Sequence, residues 1–369
     1  GTPDGIARPR PPFAAPRQVP RRLHEIGRSK ALTKATHGWN HTRKNVIMIL
    51  VKLRTLALTT VAFLALSACS SNSASGAAST SSGSAAAPGV TKVSVAFYPI
   101  EYAATKAGGD KVNVTNLTLP GQEPHDLELT PQQITSLEEA DLGVYLKGFQ
   151  PAVDKAVEQS GAKNKLDLSQ VIQLRPAAAD HDHDSEAGET EDHNHGTTDP
   201  HFWLDPTLEA KAVDAIADEL SKIDAQNKST YEMNAKNVTN DLTALDEEYK
   251  SGLKNCQVKT IITTHAAFGY LTERYGLEQI GISGLSPNEQ PSPARIAKVQ
   301  EEAKEHGVTT IFFETLTSDE VAKAIAGDLT LKTAVLDPIE GITTESAGQD
   351  YPSVMKANLD AIKQANGCS

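Results

Sequence analysis

The residues of this chain best suited to chemistry are its 11 histidines. Neutral imidazole is the commonest metal ligand among side chains, and sets that mix His with carboxylates suit zinc and its neighbours. Three histidines, His24, His37 and His41, lie in a basic leader. Four more, His181, His183, His193 and His195, crowd into DHDHDSEAGETEDHNHG. Within 180–196 the one apolar residue able to anchor a core is Ala187, so the tract reads as a solvated loop. Its alternating His, Asp and Glu offer many weak ligand pairs, the chemistry of a metal collector. The other four stand apart: His125 in GQEPHDLELTP, His201 in TDPHFWLDP, His265 in TTHAAFGYL and His306 in KEHGVTT. His306 precedes Gly307 at a helix end, where a cation suits the dipole, and is not read as a ligand.

These side chains must be positioned by the elements around them. From Val93 onward, short β-rich runs alternate with helical patterns. The spacing predicts strands over 93–100, 112–118, 140–146 and 171–174, and a second set over 259–264, 277–283, 309–314 and 333–337. Helices are expected at 131–137, 292–306 and 318–326. Alternation of this kind gives parallel sheets covered by helices, here two similar α/β lobes. Between them, roughly 207–255 is helical, and Tyr231, Ala235, Val238, Leu242, Leu245, Tyr249 and Leu253 form one apolar stripe. The stripe is read as core packing of a single long, rigid helix joining the lobes.

In open α/β sheets, ligands bind beyond the carboxyl ends of the strands. His125 follows one predicted strand by a short loop, while His265 and Asp337 end two others. Facing lobes would aim such groups into a shared cleft. There His125, His201 and His265 with Asp337 could complete a tetrahedral zinc shell, with Zn–N near ~2.0–2.1 Å, whereas any one of these histidines taken singly is more often structural.

Composition narrows the class. The chain has 369 residues, 39% hydrophobic and 22% charged, which fits a soluble body of more than one lobe and excludes a polytopic membrane protein. Twelve of its 35 basic residues and two of its 47 acidic ones precede Cys69, leaving 23 against 45 downstream. So acidic a body argues against nucleic acid as partner. Within the leader, Lys52 and Arg54 precede an uncharged, mostly apolar run at 55–65, too short for a membrane span and suited to a signal h-region. Leu66-Ser67-Ala68-Cys69 then resembles a bacterial lipobox, with Cys69 the lipidated residue. Residues 1–47 are expected to be a non-native upstream extension or a disordered tail, with Met48 or Val51 the true start. Residues 48–68 read as signal peptide and 69–92 as a flexible Ser/Ala/Gly tether. The N-terminal lobe is then placed at 93–206, the helical region at 207–255 and the C-terminal lobe at 256–369.

The lipobox, PHDLELTP, the His-rich insert, DPHFWLDP, TTHAAFGYL and LDPI occur in that order. This set resembles the zinc-uptake solute-binding lipoproteins of bacterial ABC transporters, a family that also includes manganese-binding proteins and surface adhesins. The resemblance implies two α/β lobes joined by a long helix, with metal between them. It implies His125, His201 and His265 as imidazole ligands and Asp337 as the carboxylate. Glu123 and Glu128 stand as alternates for the fourth position, Glu128 looking more like a packing residue. Manganese-type relatives tend to carry a carboxylate where this chain has His265, and manganese favours oxygen donors, so the expected cargo is Zn2+ rather than Mn2+. The implied role is an extracytoplasmic receptor, lipid-anchored and monomeric, that delivers zinc to an ABC permease.

Such a location permits a disulfide. The cysteines left after Cys69 are Cys256 and Cys368, and a bridge would tie the C-terminus to the second lobe. A zinc hydrolase is the rival from another class. The chain has neither an HExxH motif nor a GxSxG nucleophile elbow, which disfavours it. A metal-binding surface adhesin is the other alternative.

Overall fold

The computed structural model describes residues 89–177 and 198–369. The leader, the lipobox with Cys69, all of the tether before Gly89, and His181, His183, His193 and His195 of the insert lie outside the described residues.

The first sheet contains β1 (Thr91–Val95), β2 (Val112–Asn116), β3 (Leu142–Tyr145) and β4 (Lys165–Asp167), all parallel, in the order β2-β1-β3-β4. Helices α1 (Tyr98–Gly108), α2 (Pro131–Glu138) and α3 (Pro151–Gln159) alternate with its strands. A short antiparallel ribbon follows, β5 (Arg175–Pro176) with β6 (Thr198–Asp199). Then come α4 (Pro206–Ile223) and α5 (Lys228–Leu253). The second sheet contains β7 (Thr260–Thr263), β8 (Glu278–Gly281), β9 (Thr310–Phe313) and β10 (Lys332–Val335), again all parallel, in the order β10-β9-β7-β8. It is accompanied by α6 (Gly269–Tyr275), α7 (Pro293–Glu305), α8 (Glu320–Leu329) and the terminal α9 (Tyr351–Asn366). Counted within each sheet the strand order is the same, 2-1-3-4. The direction of winding therefore reverses between β1 and β3 in one lobe and between β7 and β9 in the other, and such switch points open the crevices that hold ligands.

The sequence explains these elements locally. Every residue of β7 is buried, as parallel strands covered on both faces require. Thr130 and Gln133 form a capping box that starts α2, and Asp205 caps α4 by accepting from the Thr207 amide. The expected strand at 93–100 stops at Val95. Tyr98 and Pro99 open α1 instead, and proline fits a first helical turn, where its missing N–H costs nothing. The expected strand at 171–174 is not in the sheet. The fourth strand is β4, which ends where the Asp167 carboxylate accepts from the Ser169 amide and winds 168–170 into a 3-10 turn.

The helical stretch is not one helix but two. It breaks at 224–227, where the Asp224 carboxylate accepts from the Asn227 side chain and the Tyr231 hydroxyl. The apolar stripe lies wholly within the 26-residue α5, and each of its residues is buried. That helix is the connector. Asn234 near its start donates to the Ala107 carbonyl of α1, and Tyr249 near its end donates to the Met355 carbonyl of α9. Arg274 of α6 grips it through both Asp246 oxygens, at 2.6 and 2.9 Å. Cys256 and Cys368 form a disulfide that ties the end of α9 to the segment before β7. Among the described residues, no helix is long and apolar enough to cross a membrane.

Candidate metal centre

Three of the histidines meet in the crevice between the sheets. His125 sits in the loop between β2 and α2, its ring edge against Phe149 at 4.8 Å between centroids. The backbone amides of His125 and Asp126 donate to the two carboxylate oxygens of Glu123, which shapes this loop. His201 follows β6 and opens a 3-10 turn over Phe202–Leu204. His265 lies just beyond β7, at the second lobe's switch point. Their ring centroids are 5.3, 5.4 and 5.9 Å apart. His201 and His265 are buried, while the His125 side chain keeps 11% exposure, so the open side of the cluster is at His125.

Two of the rings are oriented by carboxylates. Nδ1 of His201 lies 2.8 Å from Asp199 Oδ1, and Nδ1 of His265 lies 2.7 Å from Glu314 Oε1. Ionised carboxylates only accept, so each Nδ1 carries the proton and each Nε2 turns inward. The ribbon supplies Asp199, whose main-chain carbonyl accepts from the Tyr270 hydroxyl of α6. Glu314 follows β9, across the switch point from His265, and also accepts from the Thr264 hydroxyl at 2.9 Å.

The fourth group is Glu340, not Asp337. Glu340 Oε1 lies 3.2 Å from His125 Nε2, 3.2 Å from His201 Nε2 and 3.6 Å from His265 Nε2. The ligand atoms of His125, His201, His265 and Glu340 all lie within 4.8 Å of one another. Neighbouring donors of a tetrahedral zinc shell with bonds of ~2.0–2.1 Å sit about 3.3–3.4 Å apart, so the carboxylate edges already have that spacing. Asp337 is buried outside this group. Its Oδ2 accepts from the Thr315 hydroxyl at 3.2 Å and its Oδ1 from the Ile339 amide at 2.8 Å. Asp337 stands just past the end of β10. The chain instead turns through Pro338 and Ile339 and delivers the next acid, Glu340. Ile339 has φ 60°, a left-handed conformation that costs an L-residue about 1–2 kcal/mol. Glu123 comes only to 4.0 Å of His125 Nε2, Glu128 is exposed, and neither joins the cluster. His306 caps the end of α7, 3.2 Å from the Thr260 hydroxyl, away from the cluster.

Electrostatics point the same way. Burial would lower the pKa of His265, but Glu314 and then Glu340 outweigh it and raise it to about 10. Burial likewise opposes protonation of His201, but Asp199 and Glu340 prevail and raise its pKa. Burial would raise the Glu340 pKa, yet the adjoining His125, with His201 and His265 beside it, holds it well below the usual carboxylate range. The site therefore gathers inward-facing imidazole nitrogens around a buried anion and demands positive charge. His265 Nε2 and Glu340 Oε2 are both buried with no hydrogen-bond partner, an expensive condition unless a cation satisfies them. Three nitrogens and a carboxylate suit zinc.

Comparison with known proteins identifies the family. Residues 93–365 match the family model described as zinc-uptake complex component A, periplasmic. The chain is 37% identical over 279 residues to the high-affinity zinc uptake system protein ZnuA of Bacillus subtilis, covering 74% of this chain and 86% of that one. It is 36% identical over 284 residues to the zinc-binding lipoprotein AdcA of Streptococcus pneumoniae, covering 75% of this chain but 56% of that longer protein. The crystal structure of the Zn(II)-bound ZnuA-like domain of that AdcA superposes with a TM-score of 0.63 at 33% identity, covering 75% of this chain and 99% of the domain. The laminin-binding protein Lmb of Streptococcus agalactiae, described as a bifunctional protein with adhesin and metal transporting activity, gives 0.66 at 30% identity, covering 74% and 99%. On this match of sequence and fold, the chain belongs to the family of zinc-uptake component A, the solute-binding proteins of zinc import.

Proposed function

We propose that this protein captures Zn2+ outside the membrane and delivers it to the permease of an ABC importer, without catalysing a reaction. The observation that carries the reading is the convergence of three imidazole Nε2 atoms on one buried carboxylate oxygen. His125, His201, His265 and Glu340 would hold the ion. Manganese is the weaker candidate, because a site with three nitrogen donors lacks the oxygens it favours. The receptor is read as a monomer tethered on the outer face through lipidated Cys69.

Direct competition tests the choice of ion. Zinc should bind on the order of a hundredfold or more tighter than manganese, and excess Mn2+ should fail to displace it. Tight binding of Mn2+ with weak binding of Zn2+ in a chelator-competition titration would reverse the assignment.

The insert at 180–196 is proposed as a collector that gathers zinc near the cleft and is not part of the tight site. Deleting it should leave the tight Kd unchanged and lower the number of zinc ions bound at saturation, measured by elemental analysis after dialysis. Loss of all tight binding on that deletion would contradict the division of labour.

A further inference from the structure

The turn that delivers Glu340 is fastened on several sides. Asn358 of α9 brackets Asp337: its side-chain carbonyl accepts from the Asp337 amide at 2.9 Å, and its NH2 donates to the Asp337 carbonyl at 2.7 Å. Asp337 in turn accepts from the Ile339 amide and the Thr315 hydroxyl. The Trp203 indole, two residues beyond His201, donates to the Pro338 carbonyl at 2.7 Å. Within this frame, fully buried Ile339 holds its left-handed φ of 60°. A β-branched residue stays there only where its surroundings over-determine it.

We propose that Asp337 and Asn358 are positioning residues for metal capture: they hold the Ile339 peptide in its strained conformation and so aim the Glu340 carboxylate at the three imidazoles. The inference rests on the reading of those four groups as the ligands. Without the Asp337 acceptor, the Ile339 amide loses its partner and the residue can relax to negative φ. Relaxation rotates the following peptide and moves Glu340 Oε1 off the imidazole nitrogens. Groups that orient metal ligands commonly govern affinity by about 10–100-fold. Asp337 thus serves the site from behind, through one turn of backbone.

The test uses the purified full-length chain and its variants, with zinc affinity from chelator competition and Co2+ visible absorption as a report on coordination. Asp337→Ala and Asn358→Ala should each weaken zinc by about 10–100-fold and alter the Co2+ spectrum, as Glu340 moves away from the metal. Asp337→Asn should restore affinity to within about threefold of wild type, because an amide can still accept from Ile339 and donate to the Thr315 hydroxyl. A ligand would behave differently, since its amide would be as damaging as alanine; that result would overturn the positioning role. So would alanine variants that fold, by circular dichroism, and keep wild-type affinity and spectrum. Should the alanine variants not fold, Thr315→Val removes a single donor from the same frame. A few-fold loss with a shifted spectrum supports the proposal, and wild-type behaviour overturns it. Wild-type zinc affinity retained by the His265→Ala variant would instead overturn the ligand assignment itself.

Discussion

Replacing His265 with alanine should weaken zinc binding at the cleft by at least two orders of magnitude. Four-ligand zinc sites bind with apparent free energies of about 10–16 kcal/mol at neutral pH, or about 2.5–4 kcal/mol for each donor. At about 1.4 kcal/mol per decade, one lost donor costs on the order of 10²–10³ in Kd. His265 stands at the costly end, because its loss also strips the buried Glu314 carboxylate of its imidazole partner. The measurement is chelator competition on a background lacking 180–196, so that the collector cannot mask the cleft. Retention of tight binding by that variant would mean the three rings do not act together on one ion.

Zinc affinity should also climb with pH from 5 to 8, and keep climbing beyond the point where ordinary imidazoles have lost their protons. Free histidine titrates near ~6.5. Here Glu314 and Glu340 drive His265 up to about 10 against the opposing effect of burial, and His201 is raised by Asp199 and Glu340 in the same way. A raised pKa means the proton is held to higher pH, so the incoming metal must displace it across this whole window. Glu340 is pushed well below the usual carboxylate range and releases no proton on binding. Each proton displaced contributes about one decade of affinity per pH unit, so two protonated rings give about two decades per unit where both are charged. Affinities at pH 6, 7 and 8 determine the slope, and calorimetry in two buffers of different ionisation enthalpy counts the protons. A flat profile would remove the imidazoles from the coordination shell.

Much of this organisation was legible in the sequence because it follows from periodicity and from strand ends. The apolar stripe from Tyr231 to Leu253 is the buried face of α5, and its steps of three and four residues admit no other element. His265 is legible because a histidine that ends a buried apolar strand lies where α/β crevices open. What escaped depends on single hydrogen bonds. The break at 224–227 is made by Asp224 side-chain contacts, which interrupt a helical pattern without a proline or a glycine. Glu340 was missed because two acids, Asp337 and Glu340, follow the same strand. Choosing between them needs the left-handed turn at Ile339, which an isoleucine does not announce. Glu314 did carry a signal, as the acid that ends the apolar run TTIFFE opposite His265. Asp199 carried one too, two residues before His201.

The bridge between Cys256 and Cys368 has a consequence for the durability of the site. Elements of a fold open locally at different free energies, those with few fastenings first. The final helix here carries Asn358, yet its far end is cross-linked across 112 residues of sequence, which converts the whole second lobe into a covalent ring. Closing a loop of that size removes about 4.7 kcal/mol of denatured-state entropy at 25 °C in the chain-entropy treatment. The cross-link keeps that end of the helix beside the segment before β7 even when surrounding packing loosens, so Asn358 stays close to the Asp337 turn that it brackets.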